Sequence, residues 1–181
     1  AGAPGKSKRP PNIVFIMADD LGYTDVGCFG SKFYETPNID RLANQGTKLT
    51  NHHHCQNCTP TRAALNTGRL PVRSGLLTPK LLNDTADISG ELLASKLLSQ
   101  SGYRTAIAGK WHLGDQPDYV PLRRGFDEFF GFFPASHNYF AENAGRGIYR
   151  GNELIREKDY LTDAFAREAI DFIKRHAHQP F

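Results

Sequence analysis

At 181 residues the chain fits one domain able to bury a real core. Apolar residues make up 39% and charged ones 23%, a globular balance, and the net charge of +3 is too slight to indicate nucleic acid. The longest apolar run, Ile13 to Ala18, is far too short to span a membrane, and three cysteines cannot build a disulfide framework.

Residues 1–11, "AGAPGKSKRPP", read as a flexible arm of the kind left at a mature end. They carry the short basic cluster Lys6–Arg9 and none of the apolar region that a signal peptide needs. Residues 12–181 follow as one domain. "NIVFIMADD" predicts a buried strand over Asn12–Ala18 with Asp19 and Asp20 at its carboxyl edge. "TPNIDRLANQG" predicts a helix with Thr36 as cap, Pro37 in the first turn, Ile39 and Leu42 facing inward, and Gly46 as stop. "TKLTNHH" reads as a short strand. "TPTRAALNTG" pairs the early Pro60 with the terminating Gly68, so Cys58 falls at or just before a helix N-terminus.

Further on, "SGELLASKLLSQSGY" predicts an amphipathic helix capped by Ser89, with a stripe of Leu92, Leu93, Leu97 and Leu98, ending at Gly102. "YRTAIAG" is a strand delivering Lys110, Trp111 and His112 at its outgoing end. "IYRGNELI" predicts a hairpin about Gly151-Asn152. "TDAFAREAIDFIKRH" predicts a helix with Phe165, Ala169, Phe172 and Ile173 on one face. Pro180 and Phe181 then read as the start of another strand, which marks the chain as part of a longer protein. This alternation implies an α/β fold with a mixed, largely parallel sheet flanked by helices, incomplete in this chain. Ligands bind such sheets at the carboxyl ends of strands, where Asp19, Asp20, Lys110 and His112 fall.

The chemistry turns on "HHHCQNCTPTR", residues 52–62. A zinc site wants two separated pairs of Cys or His ligands, and no second pair lies downstream. Consecutive His52, His53 and His54 on a strand point to alternate faces, away from any common ion. A Cys55-x-x-Cys58 redox pair needs a strand–helix junction of another kind, and neither reading explains "TPTR…TGR". Cys58 at a helix start instead faces unpaired amides and a positive dipole, suited to an anionic group, with Arg62 one turn on. The bland alternative is a structural cysteine. Asp19-Asp20 are either surface carboxylates or half of a hard-cation site. "GKWHLG" is either a strand end with an aromatic anchor, or Lys110 holding an anionic oxygen while His112 transfers protons. Taken together the set suits attack on a sulfate or phosphate ester.

On "PNIVFIMADDLGYTDVGCFG", "TPNIDRLANQG", "CTPTRAALNTGR", "SGYRTAIAGKWHLG" and "RRGFDEFFGF", in this order over most of residues 11–133, the chain resembles the formylglycine-dependent sulfatases of the alkaline-phosphatase superfamily. The resemblance implies that Cys58 is oxidised to formylglycine, whose hydrate attacks sulfur, expels the alcohol and leaves a sulfated enzyme. Loss of a proton from the second hydroxyl, assisted by His112, then releases sulfate. Arg62 would hold the hydrate and Lys110 the sulfate, while Asp19, Asp20 and oxidised Cys58 bind calcium. Two departures stand out. Thr61 replaces the usual motif Ser, keeping the hydroxyl. Family members are also longer, with further metal ligands, a second lysine and a histidine acid beyond Phe181, so the 181-residue chain alone is expected to be inactive.

Tyr23, His137 and Asn138 are candidates for substrate contact, with loop packing the equal alternative. The expected substrate is a sulfated carbohydrate, and the expected partner a formylglycine-generating maturation enzyme. The expected location is periplasmic or secreted, lysosomal in a eukaryote. Two rivals remain: a phosphodiesterase or phosphonate-ester hydrolase of the same superfamily, and a non-catalytic glycan-binding homologue that keeps the Cys58 thiol.

Overall fold

The computed structural model describes residues 9–78, 88, 90–140 and 147–181. The chain divides into two compact units, one of residues 1–14 with 55–181, the other of residues 15–54.

The larger unit is built on a four-stranded mixed sheet in the order β1-β2-β3-β4: Ala106–Lys110, Glu128–Phe132, Ile148–Arg150 and Glu153–Ile155. β1 and β2 are parallel, with Lys110 opposite Phe132, and the other two pairings are antiparallel. The β3–β4 hairpin turns at Gly151-Asn152 as its sequence predicts, Gly151 taking the left-handed conformation (φ 62°). β2 has no counterpart among the predicted elements, because "EFFGF" lacks polar alternation. Both of its faces are covered: Phe129 and Phe133 join one apolar cluster, Phe130 and Phe132 the other. Strand geometry makes that division, since alternate residues point to opposite faces. Gly131 lies opposite Gly109 because a Cβ there would come within 1.9 Å of the Gly109 carbonyl oxygen.

One cluster gathers Ala63, Leu76, Ile88, Leu93, Trp111 and Leu113 around Phe129. Its helices are α2 (Cys58–Thr67), the short α3 (Pro71–Ser74) and α4 (Ala94–Gln100). α2 stops at Gly68, which has φ 68° and donates its N–H to the Ala64 carbonyl. α4 is shorter than predicted. It begins at Ala94, with Leu93 in the cap position; Ser89, the expected cap, lies outside the described residues. Only Leu93 of its leucine stripe is fully buried, while Leu92 and Leu97 are exposed.

The other cluster packs Phe130, Phe132 and Ile148 against α5 (Leu161–His176) through Leu161 and Ala164, with Phe165 partly buried. Ion pairs line this flank. Arg150 makes a two-pronged bond to Glu168 (2.7 and 2.6 Å), and Arg175 another to Glu128 (2.9 and 2.8 Å). Arg167 pairs with Glu157 and Asp159. The Arg150 guanidinium holds the Glu168 carboxyl below its usual range against the opposing effect of burial, and Arg175 does the same for Glu128. At the chain's end, Pro180 accepts from the Arg104 N–H and Phe181 from the Ile13 N–H.

In the smaller unit, α1 (Pro37–Gln45) follows two 3-10 turns, Tyr23–Asp25 and Gly27–Phe29. Asp40 organises it, its Oδ1 accepting from the Cys28 N–H (2.6 Å) and the Thr36 hydroxyl (3.0 Å). Three expectations fail in or beside this unit. Residues 12–18 form no strand, and Ile16 is 81% exposed. Among the described residues only the Ile13 N–H bond to Phe181 ties this segment's backbone, and a strand requires a continuous ladder. Ile39 and Leu42 do not face inward; both are exposed, Leu42 at 65%. Residues 47–53 form turns and irregular chain rather than a strand.

Candidate active site

The carboxyl end of β1 gathers the chemistry of the larger unit. Cys58 is the first residue of α2 and partly exposed, as its place before the helical run predicts. The first amides of a helix have no intrahelical partner, so Cys58 stands where an anionic group is favoured. None of the three cysteines is in a disulfide. The Thr61 hydroxyl donates to the Cys55 carbonyl (3.0 Å), tying the helix start to the preceding loop. That is the service a hydroxyl at this position can render whether Ser or Thr carries it.

Two links join α2 to the end of β1. Arg62 Nη1 donates to the Lys110 carbonyl at 2.6 Å, across 48 residues of sequence. The Thr59 hydroxyl lies 3.2 Å from Nε2 and 3.3 Å from Nδ1 of His112, across 53 residues. Two stretches far apart in sequence, residues 58–62 and 110–112, are thereby fastened together.

Backbone geometry marks His112 further. Beyond the last paired residue, Lys110, the Trp111 N–H donates to the Phe132 carbonyl and the His112 N–H to the Phe133 carbonyl (both 3.0 Å). Trp111 is buried, its indole N–H bonded to the Tyr119 carbonyl and its ring edge-on to Phe126. His112 is itself buried and takes φ 57°. Among the described residues only Asp20 shares this trait with it outside glycine, also at φ 57°. Such left-handed backbone costs about 1–3 kcal/mol at a non-glycine residue and gathers at functional sites.

The other candidates lie as follows. Asp19 and Asp20 are adjacent and exposed in the smaller unit. Tyr23 belongs to the same unit and stacks on Phe29 (4.3 Å between ring centres). His137 and Asn138 lie on the loop leaving β2. The His137 ring rests 5.2 Å from that of Phe132, and its Nδ1 donates to the Asn138 carbonyl (2.8 Å). His52, His53 and His54 are exposed, His53 bonded to Asn51. Among the described residues no three His, Cys, Asp or Glu side chains are grouped to hold a metal ion. No described helix is long and apolar enough to cross a membrane. Sequence inspection missed Thr59. The available signal was a polar residue inside the first turn of α2 beside an apolar stretch.

The sulfatase family model matches residues 11–181. The chain belongs to the sulfatase family. It is 39% identical to human N-acetylgalactosamine-6-sulfatase over 207 aligned positions, covering all of this chain and 39% of that protein. It also matches the crystal structure of Ps i-CgsB in complex with k-i-k-neocarrahexaose, with TM-score 0.90 and 37% identity over 94% of this chain and 43% of that one. A third likeness, at TM-score 0.80 and 32% identity over 96% of this chain and 33% of the other, is to a protein solved with its substrate D-glucosamine-2-N,6-O-disulfate. The chain thus spans about two fifths of the length of the human sulfatase. The α/β class, a mixed sheet between helices, agrees with these structures.

Proposed function

We propose that the full-length protein is a sulfatase that hydrolyses a sulfate ester of a carbohydrate. The observation that carries the reading is the double link of α2 to the end of β1. It puts a partly exposed Cys58 at a helix N-terminus whose next residues hold Arg62 to Lys110 and Thr59 to His112. The carbohydrate follows the relatives: an enzyme named for N-acetylgalactosamine, and proteins solved with a neocarrahexaose and with a disulfated glucosamine.

Two groups complete the chemistry. Formylglycine at Cys58 would supply, as its hydrate, an oxygen nucleophile where the thiol now stands. The partly exposed first position of α2 fits the resulting polar group. Calcium would be held by Asp19 and Asp20, whose hard oxygens suit it. The chain's own residues do the rest. Arg62 holds its charge one helical turn from residue 58, and its bond to the Lys110 carbonyl keeps both cations on one frame. Lys110 binds an anionic oxygen of the ester, and His112 moves the proton at the hydrate oxygen. His137 and Asn138 contact the sugar from the loop after β2. A periplasmic, secreted or lysosomal location is part of the same proposal.

Intact mass spectrometry of the full-length protein, made in a host with the maturation enzyme, tests the reading. Conversion of Cys58 lowers the mass by about 18 Da, as expected for thiol to aldehyde. An unmodified thiol in an active preparation overturns it. Turnover of a phosphodiester in preference to a sulfate ester would transfer the same site to the rival hydrolase.

A further inference from the structure

We propose that Thr59 is a positioning residue for His112. The inference rests on the proton-transfer role given to His112 above. The Thr59 side chain is fully enclosed (0% exposed) and His112 nearly so (5%), and the hydroxyl lies within 3.3 Å of both ring nitrogens. No solvent intervenes to set the ring's orientation, so neighbouring groups must do it.

Thr59 is well suited to that task. It follows Cys58 directly in the first turn of α2, where helical geometry fixes its Cβ. β-branching leaves its side chain few rotamers, so the hydroxyl is held in place before the ring meets it. A hydroxyl both donates and accepts, and can satisfy an imidazole nitrogen with or without a proton. The backbone of His112 is fixed separately, by φ 57° and by its N–H bond to Phe133. What remains is rotation of the ring, and the Thr59 hydroxyl, level with both ring nitrogens, is a contact that limits it. One residue thus references the imidazole ring to the helix that carries residue 58. Polar contacts behind a functional histidine hold its ring orientation in this way.

The test compares Thr59→Val, which keeps the shape and removes the hydroxyl, with Thr59→Ser, which keeps the hydroxyl and removes the methyl. In the full-length protein Val should lower kcat about 10- to 100-fold while KM moves less than about threefold. Ser should recover to within about threefold of the parent kcat. The nitrogen-15 imidazole signals of His112, assigned by their loss in His112→Ala, should shift in Val and return in Ser. Unchanged kcat in Val, equal losses in Val and Ser, or unmoved His112 signals would each overturn the positioning role. Should Val fail to fold, Thr59→Ala replaces it in both measurements. If His112→Ala itself turns over normally, the role of His112 has failed, and the imidazole signals still decide whether Thr59 sets the ring.

Discussion

The two units rest on different foundations. Residues 55–181 are organised by a sheet with an apolar cluster on each face, and nearly every element predicted there exists. Residues 15–54 bury a single residue, Val26, and are held by the Asp40 network and by tight turns. The failed expectations, the strand over 12–18, the inward face of α1 and the strand over 47–53, fall in or beside that second unit. An apolar pattern states which surface would be buried if something covered it. Where a sheet supplies the cover, pattern becomes structure; where nothing does, the same residues stay exposed.

This contrast can be broken experimentally, beginning with the largest expected effect. Cys58→Ala, Lys110→Ala or His112→Ala in the full-length protein should each lower kcat/KM at least about a thousandfold. Steady-state turnover of a sulfated sugar reads this, and near-normal rates in any one variant would remove that residue from the chemistry. Among core residues, Ile148→Ala should cost about 2–5 kcal/mol in chemical denaturation, because the side chain is fully enclosed between β3 and α5. Gly131→Ala should cost about 1–3 kcal/mol, forcing β2 from β1 where the new methyl meets Gly109. Leu42→Ala on α1, by contrast, should fall within about 0.5 kcal/mol. A core-sized loss there would show that α1 is covered in solution and would dissolve the contrast.

The smallest effect concerns the flank of α5. Glu168→Gln should cost about 1 kcal/mol, a modest figure because Arg150 is about half exposed and solvent screens the pair. The carboxyls of Glu168 and Glu128 lie lower in the folded chain than in the unfolded one. Their contribution is therefore complete above the usual carboxylate range and is lost as pH falls through their folded values. Denaturation midpoints should drop in acid, and the drop should shrink in Glu168→Gln. An identical acid profile in the variant would show that this pair does not set it.

Within residues 55–181 the chemical inventory and its helix and strand carriers are legible in the sequence. Cys58 at the start of α2, Lys110 and His112 at the outgoing end of β1, the hairpin at Gly151 and the helix over 161–176 depend on local propensity, caps and periodicity. These are written in neighbouring residues. Tertiary structure alone decided what joins what. The bonds of Arg62 to Lys110 and Thr59 to His112 span 48 and 53 residues, and no local pattern encodes a partner at that distance. It also decided that "EFFGF" is a strand buried on both faces, a state with no alternation to reveal it. The left-handed backbone of Asp20 and His112 belongs to the same class. Local preference opposes such a conformation at a non-glycine residue, and only surrounding structure can impose it.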